Sequence, residues 1–164
     1  MTTVSSVSSP VQRHVVLGAG PLGRAVAAAL LNAGHSVRLV NRSGKLPDAP
    51  AGVEVVGANL LNPDSFAPIV EGAAAIYFCA QPAYHRWPQE FPALQEAAIA
   101  IASKARARLV VAENLYGYGP SDRPFTEDMP MAPNTRKGRV RAAMHAELMR
   151  ASAAGDLEVA VARA

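Results

Sequence analysis

Six consecutive residues, Gly18-Ala19-Gly20-Pro21-Leu22-Gly23, have the types and spacing of a phosphate cradle. In a G-x-G-x-x-G turn, the first glycine lets the chain leave a strand sharply. The second brings bare backbone up to a pyrophosphate, and the third lets the following helix pack closely on the sheet. The helix that begins at Pro21 and Leu22 presents unpaired N–H groups and the positive end of its dipole to the phosphates. The same glycines also fit an ordinary tight turn, so their flanks decide. The apolar run His14–Leu17 precedes them, the Ala/Leu-rich stretch Arg24–Ala33 follows, and a second apolar run ends at Val40. A strand, a cradle and a helix in that order favour a dinucleotide.

The residues after the second run bear on which dinucleotide. NAD binders usually place an Asp or Glu about 20 residues beyond the glycines, where it accepts hydrogen bonds from ribose hydroxyls. Here Asn41 takes that place, carrying no charge to repel a 2′-phosphate, and Arg42 and Ser43 follow it. Arginine offers a fork of donors that suits a phosphate. NADP(H) is therefore expected over NAD(H), with Lys45 a solvated loop residue. Asn59 and Leu60 end the third run, on the adenine side. Ala80 and Gln81 leave the fourth at the switch-point crevice of such a sheet.

These groups need a frame, and the pattern supplies one. Strands are expected at His14–Leu17, Ser36–Val40, Val53–Ala58, Ala75–Cys79, Arg108–Ala112 and Leu157–Ala162. Helices are expected at Pro21–Ala33, Asn62–Val70 (with Asn62 as its cap), Glu90–Ala105 and Thr135–Ala153. Nearly continuous apolar runs such as Arg108–Ala112 suit parallel strands buried on both faces. The alternation predicts a doubly wound α/β parallel sheet of about six strands, an NAD(P)-binding Rossmann fold over residues 13–164, after a disordered segment 1–12. The 164 residues fit one domain, half of them hydrophobic and 18% charged. A net charge of +3 with scattered basic residues gives no broad basic face, so no nucleic-acid partner is expected. The lone Cys79 excludes an internal disulfide and reads as a small buried hydrophobe; no metal-ligand spacing is present. No transmembrane run or secretory leader is seen, which points to the cytoplasm.

Further landmarks narrow the class. Leu115-Tyr116-Gly117 follows the fifth strand, Glu127-Asp128-Met129-Pro130 and Pro133 lead into the fourth helix, and Val159–Ala164 closes the chain with Arg163. Together with the glycine turn, these make the chain from His14 to Ala164 resemble the extended short-chain dehydrogenase/reductases, in particular the NAD-dependent epimerase/dehydratase branch. The resemblance implies a catalytic Ser/Thr, a Tyr acid/base and a Lys, the last two spaced Y-x-x-x-K. This sequence has no Y-x-x-x-K. Aligned on the landmarks, Ala112, Thr135 and Arg139 stand at the three positions. Thr135 cannot serve as the proton donor, whereas Arg139 keeps a cation for ribose or phosphate. Extended members carry G-x-x-G-x-x-G, which would need glycine at Leu17, so the chain resembles an atypical member.

Two residues outside the lost triad remain candidates for proton transfer. Lys137 does so if burial lowers its pKa and otherwise reads as a solvated lysine at a basic helix start, while Tyr118 either faces a substrate beyond strand five or packs within its loop. Tyr116 matches a position that is usually structural. Tyr84-His85-Arg86-Trp87 forms a loop able to line a pocket, while Glu113 and Asn114 offer polar contacts. The resemblance also implies a C-terminal substrate lobe, which is missing here; an open sixth-strand edge then suggests a homo-oligomer. The expected function is an NADP(H)-binding, epimerase- or dehydrogenase-like oxidoreductase acting on a hydroxyl/carbonyl substrate that the sequence does not specify. The alternative is a non-catalytic NADP(H)-sensing module of the NmrA-like kind.

Overall fold

The computed structural model describes residues 11–155 and 157–164. The expected lead-in through residue 10 lies outside them. Gln12, placed in that lead-in, already joins the sheet, because its carbonyl accepts the Ser36 N–H at 3.0 Å.

The six strands are β1 (Arg13–Leu17), β2 (Ser36–Asn41), β3 (Glu54–Gly57), β4 (Ala73–Phe78), β5 (Arg108–Glu113) and β6 (Val159–Arg163). They form one wholly parallel sheet in the order β3-β2-β1-β4-β5-β6. The chain winds outward from β1 in both directions, and the crevice of such a sheet opens between the carboxyl ends of β1 and β4. The helices are α1 (Pro21–Asn32), α2 (Ala67–Val70), α3 (Trp87–Ala105) and α4 (Arg136–Ala153).

Alternation along the strands sorts the core into two layers. Val15, Leu17, Ile76, Phe78, Leu109 and Val111 belong to the larger cluster, with Leu94, Ile101, Met144 and Leu148 from α3 and α4. Val16, Val37 and Leu39 face the other way, with Ala27 of α1. The continuous run of β5 is fully buried on one side only: Leu109, Val111 and Glu113 are buried, but Val110 and Ala112 only half so. The strand is thus buried fully on one face and partly on the other.

Several expected boundaries move, among them that of β4, which runs Ala73–Phe78 instead of Ala75–Cys79. The helix foreseen over 62–70 is a 3₁₀ turn at Pro63–Phe66 followed by the single turn α2, and the Asn62 side chain makes no cap bond. Prolines 63 and 68 remove N–H groups from so short a segment, so only tight turns persist. Helix α3 starts at Trp87 rather than Glu90, with Pro88 in its first turn, where a missing N–H costs nothing. Strand β6 is shifted toward the C-terminus; Leu157 is buried ahead of it and Arg163 completes it.

Candidate active site

The glycine turn is held by contacts that a side chain would break. Gly18 adopts φ +109°, and a Cβ there would lie 2.7 Å from the backbone N of Ala80. The ends of β1 and β4 thus approach closely, tied by the Cys79 N–H to the Leu17 carbonyl at 3.0 Å. A Cβ on Gly23 would come within 1.9 Å of the Gly18 carbonyl oxygen, so the first turn of α1 sits directly on the loop. Gly20 differs, because nothing lies within 4 Å of where its Cβ would be. Its missing side chain leaves open space above the backbone, as a pyrophosphate requires.

That space belongs to a cavity of about 270 Å³ lined by Gly18, Gly20, Pro21 and Leu22, by Asn41 and Arg42 after β2, by Leu60, and by Ala80 and Gln81 after β4. Regions far apart in the chain meet there. Asn41 spends its side chain internally: Oδ1 accepts the N–H groups of Ser43 (3.0 Å) and Gly44 (2.7 Å), and Nδ2 donates to the Lys45 carbonyl at 2.9 Å. It shapes the loop and leaves exposed Arg42 as the cation at the rim. Ser43 bonds to Asn41 and is not part of the cavity wall. Asn59 turns to its own loop, accepting the Leu61 N–H at 3.2 Å, while its neighbours Ala58 and Leu60 form the wall.

Helix α4 sets the other end of the site. Thr135 is its N-cap, with the hydroxyl accepting the Gly138 N–H at 2.9 Å. Gly138 fits under the turn after β5, where a Cβ would lie 2.5 Å from the Tyr116 carbonyl oxygen. This contact fixes which side of α4 faces the sheet. Arg139 falls on the exposed side, where it reaches only the Asn134 carbonyl at 3.5 Å. Lys137 and Arg141, four residues apart and so on one helix face, border the site instead.

Arg141 is 4% exposed yet charged. Its Nη2 donates to the Ala112 carbonyl at 3.1 Å, whereas Nε and Nη1 have no partner. The guanidinium lies 4.8 Å from the Phe91 ring centroid and 5.9 Å from that of Trp87. It borders a small cavity with Leu22, Ala80, Gln81, Glu113 and Asn114. Leu22, Ala80 and Gln81 also line the glycine-loop cavity, so the two cavities adjoin across these residues. Burial pulls the Arg141 pKa below its ordinary value; the Glu113 charge opposes this shift and that of Arg163 adds to it. Cys79 at the same junction is half-buried, and burial pushes its thiol up to about 11. It is an inert wall at neutral pH.

Beyond Trp87 lies a larger cavity, about 530 Å³, walled by Tyr84, Tyr116 and Phe125, with Thr135, Arg136 and Lys137 along α4. The Lys137 ammonium sits 3.9 Å from the Tyr84 ring centroid. Interaction with the Tyr84 hydroxyl raises the pKa of Tyr116, and Lys137 partly offsets this. Of the two tyrosines after β5, the one offered as substrate-facing packs within its loop and the other faces the cavity. Tyr116 is 45% exposed at the cavity, whereas Tyr118 is 5% exposed, with its hydroxyl accepting from Arg163 Nη1 at 2.7 Å. A substrate does not reach Tyr118. Glu113 likewise proves internal, accepting from Arg163 Nε at 2.9 Å and lying 3.3 Å from His145 Nδ1.

A wholly parallel sheet in this order, with a glycine turn and an open cradle at its crevice, defines a dinucleotide-binding α/β domain. The chain belongs to the NAD(P)H-binding family, whose sequence profile matches residues 18–157. A comparison with curated protein sequences returns no match. Among solved structures, the fold is similar to a UDP-glucose 4-epimerase from Brucella ovis in complex with NAD, at TM-score 0.82 and 18% identity, covering 93% of this chain and 51% of that one. It is also similar to a putative epimerase from Burkholderia cenocepacia, at TM-score 0.79 and 23% identity over 94% of this chain and 54% of that one. A dTDP-glucose 4,6-dehydratase from Bacillus anthracis in complex with NAD gives TM-score 0.76 and 16% identity, covering 93% and 54%. The chain thus spans about half the length of these epimerase and dehydratase structures and shares their fold. Among the described residues, no helix is long and apolar enough to cross a membrane, and no three His, Cys, Asp or Glu side chains cluster as metal ligands.

Proposed function

We propose that the chain is an oxidoreductase of the epimerase/dehydratase type that uses NADP(H) in preference to NAD(H) on a hydroxyl/carbonyl substrate. The observation that carries this reading is the buried, two-thirds unpartnered guanidinium of Arg141 at the end of the glycine-loop crevice, with Lys137 one helical turn before it. A charge held dry with idle donors is costly unless a ligand takes them. A dinucleotide laid from Gly20 toward Gln81 brings a ribose, rich in acceptors, to that place. When bound, the nicotinamide supplies or removes hydride at the substrate carbon.

The side chains divide the remaining work. Gly20 and the α1 N-terminus receive the pyrophosphate. Arg42 pairs with the 2′-phosphate at the rim, where no acid opposes it and the Asn41 Oδ1 is already engaged within the loop. Arg141 donates to the ribose on the nicotinamide side, the role first sought at Arg139. Lys137 gives a proton to the carbonyl oxygen as the carbonyl electron pair moves onto it, and takes one back in the reverse direction. An ammonium and a phenol have nearly equal reference pKa values, about 10.4 and 10, so a lysine can replace a tyrosine as donor.

The test is a titration of NADPH and NADH by fluorescence, followed by a carbonyl panel. Arg42→Ala is expected to weaken NADPH about tenfold or more while leaving NADH unchanged, as loss of a charge-assisted phosphate contact requires. Lys137→Arg keeps the charge but yields no proton, and should lower turnover by about 100-fold or more at unchanged NADPH affinity. Binding without turnover on any carbonyl compound would move the chain to the NADP(H)-sensing reading, and absence of binding defeats both.

A further inference from the structure

The cavity beyond Trp87 has a composition that the dinucleotide does not use. Three of the large apolar side chains left exposed on the molecule, Tyr84 (55%), Tyr116 (45%) and Phe125 (39%), surround this one space. Exposed aromatic rings that converge on a concavity present flat apolar faces to a guest.

The charge at the cavity is one-sided. Arg136 and Lys137 line it, no acidic residue does, and none of the ion pairs among the described residues involves either cation. Lys137 lies against a ring face instead of a carboxylate. The first turn of α4 holds Arg136, Lys137 and Arg139 with no acid, although the positive end of a helix dipole disfavours cations. In the same turn the backbone N–H groups of Arg136 and Lys137 precede the first intrahelical bond. Cations placed against a dipole are unfavourable for folding, and for Arg136 and Lys137, which line the cavity, the arrangement becomes favourable when an anion enters it.

We infer that the cavity takes a substrate with a flat, conjugated body and a carboxylate, the body between Tyr84, Tyr116 and Phe125 and the carboxylate on Arg136. This rests on the oxidoreductase reading above and adds its substrate class. The planar guanidinium fork of Arg136 matches a carboxylate, and the carbonyl to be reduced lies toward Lys137. The reaction is reduction of an aryl or enone carbonyl: hydride from NADPH forms the new C–H bond, the carbonyl electron pair moves to oxygen, and oxygen takes the proton of Lys137. The products are an alcohol and NADP⁺, and solvent reprotonates the amine.

Calorimetry on the full chain, with and without NADPH, tests this using non-reacting probes: terephthalate, 4-methylbenzyl alcohol and adipate. Terephthalate is expected to bind at least about tenfold more tightly than either the neutral aromatic or the flexible diacid. Arg136→Gln should abolish its advantage over the neutral aromatic and leave NADPH affinity unchanged. Equal affinity for charged and neutral aromatics, or an advantage that survives Arg136→Gln, overturns the assignment. So does failure of every aromatic probe in a protein that binds NADPH, and in that case the oxidoreductase reading stands. Terephthalate binding in a chain that does not bind NADPH sinks the oxidoreductase reading and leaves the aromatic-anion site in place.

Discussion

Arg163, near the end of β6, donates from Nε to the Glu113 carboxylate at 2.9 Å, closing the sheet edge against β5 with a nearly dry ion pair. The Glu113 side chain is only 3% exposed, and its second oxygen faces His145 on α4. One carboxylate therefore joins β5, β6 and α4 beneath the cavity that Arg141 borders. Glu113→Ala would leave the Arg163 charge without its partner, and its cost is expected at about 3–5 kcal/mol. The double variant Glu113→Leu/Arg163→Met should recover most of that loss. Urea unfolding of the three proteins checks it, and equal destabilisation by the single and double variants would show that the pair is not what matters.

Two glycines in one turn should respond in opposite ways. Gly23→Ala drives a methyl into the Gly18 carbonyl, so it is expected to destabilise by at least about 1–3 kcal/mol, the range for overpacking. Gly20 has φ −70° and open space around it, so Gly20→Ala should cost less than about 1 kcal/mol. The same methyl occupies the proposed pyrophosphate position, and NADPH binding should fall sharply in a protein that melts normally. Thermal melts and NADPH titrations of both variants separate the two roles.

The contrast shows where sequence reasoning reaches. The strand and helix order was legible because each apolar run is bounded by a glycine, proline or cap residue, and the parallel pairing follows from the crossover helices. The glycine-loop cavity was legible for the same reason, since its walls are the ends of those runs. Tyr116 and Tyr118 were not, because the direction of a loop side chain depends on a partner 45 residues away, Arg163. Arg141 escaped as well. An arginine among Arg139, Val140 and Arg141 reads as solvated, and only the seating of Gly138 under Tyr116 turns it inward.

Acid should weaken the protein through His14. This residue is 7% exposed on β1, has its ring tilted against that of His35 with centroids 4.5 Å apart, and has Nδ1 3.3 Å from the Tyr77 hydroxyl. Burial first, and the His35 charge second, hold its pKa below the ordinary value of 6.5. The unfolded chain then binds a proton more readily, so this contribution is complete above about pH 6.5 and is lost as pH falls through the lower folded value. One proton limits the slope to about 1.4 kcal/mol per pH unit. Urea midpoints at pH 7.5 and 5.5 should differ less in His14→Phe than in the parent chain. An unchanged difference would assign the acid sensitivity to other groups.

Arg141 should show binding and stability pulling against each other. A buried guanidinium with two idle nitrogens is expensive, and a well-packed apolar side chain in such a place is often neutral or stabilising. Arg141→Met is therefore expected to hold or raise the melting temperature, because methionine can follow the same path between Phe91 and Trp87. The same variant should bind NADPH at least about tenfold more weakly, since the donors assigned to its ribose are gone. Binding of 2′,5′-ADP, which carries the adenosine half alone, should not change, because the proposed function assigns that half to Arg42 and Leu60, away from Arg141. Trp87 is the sole tryptophan of the chain and lies beside Arg141, so quenching of its emission reads occupancy of the nicotinamide end directly. If Arg141→Met lowers affinity for both ligands alike, the guanidinium supports the fold of the crevice and does not hold the cofactor. If it lowers neither, its buried donors serve some other ligand.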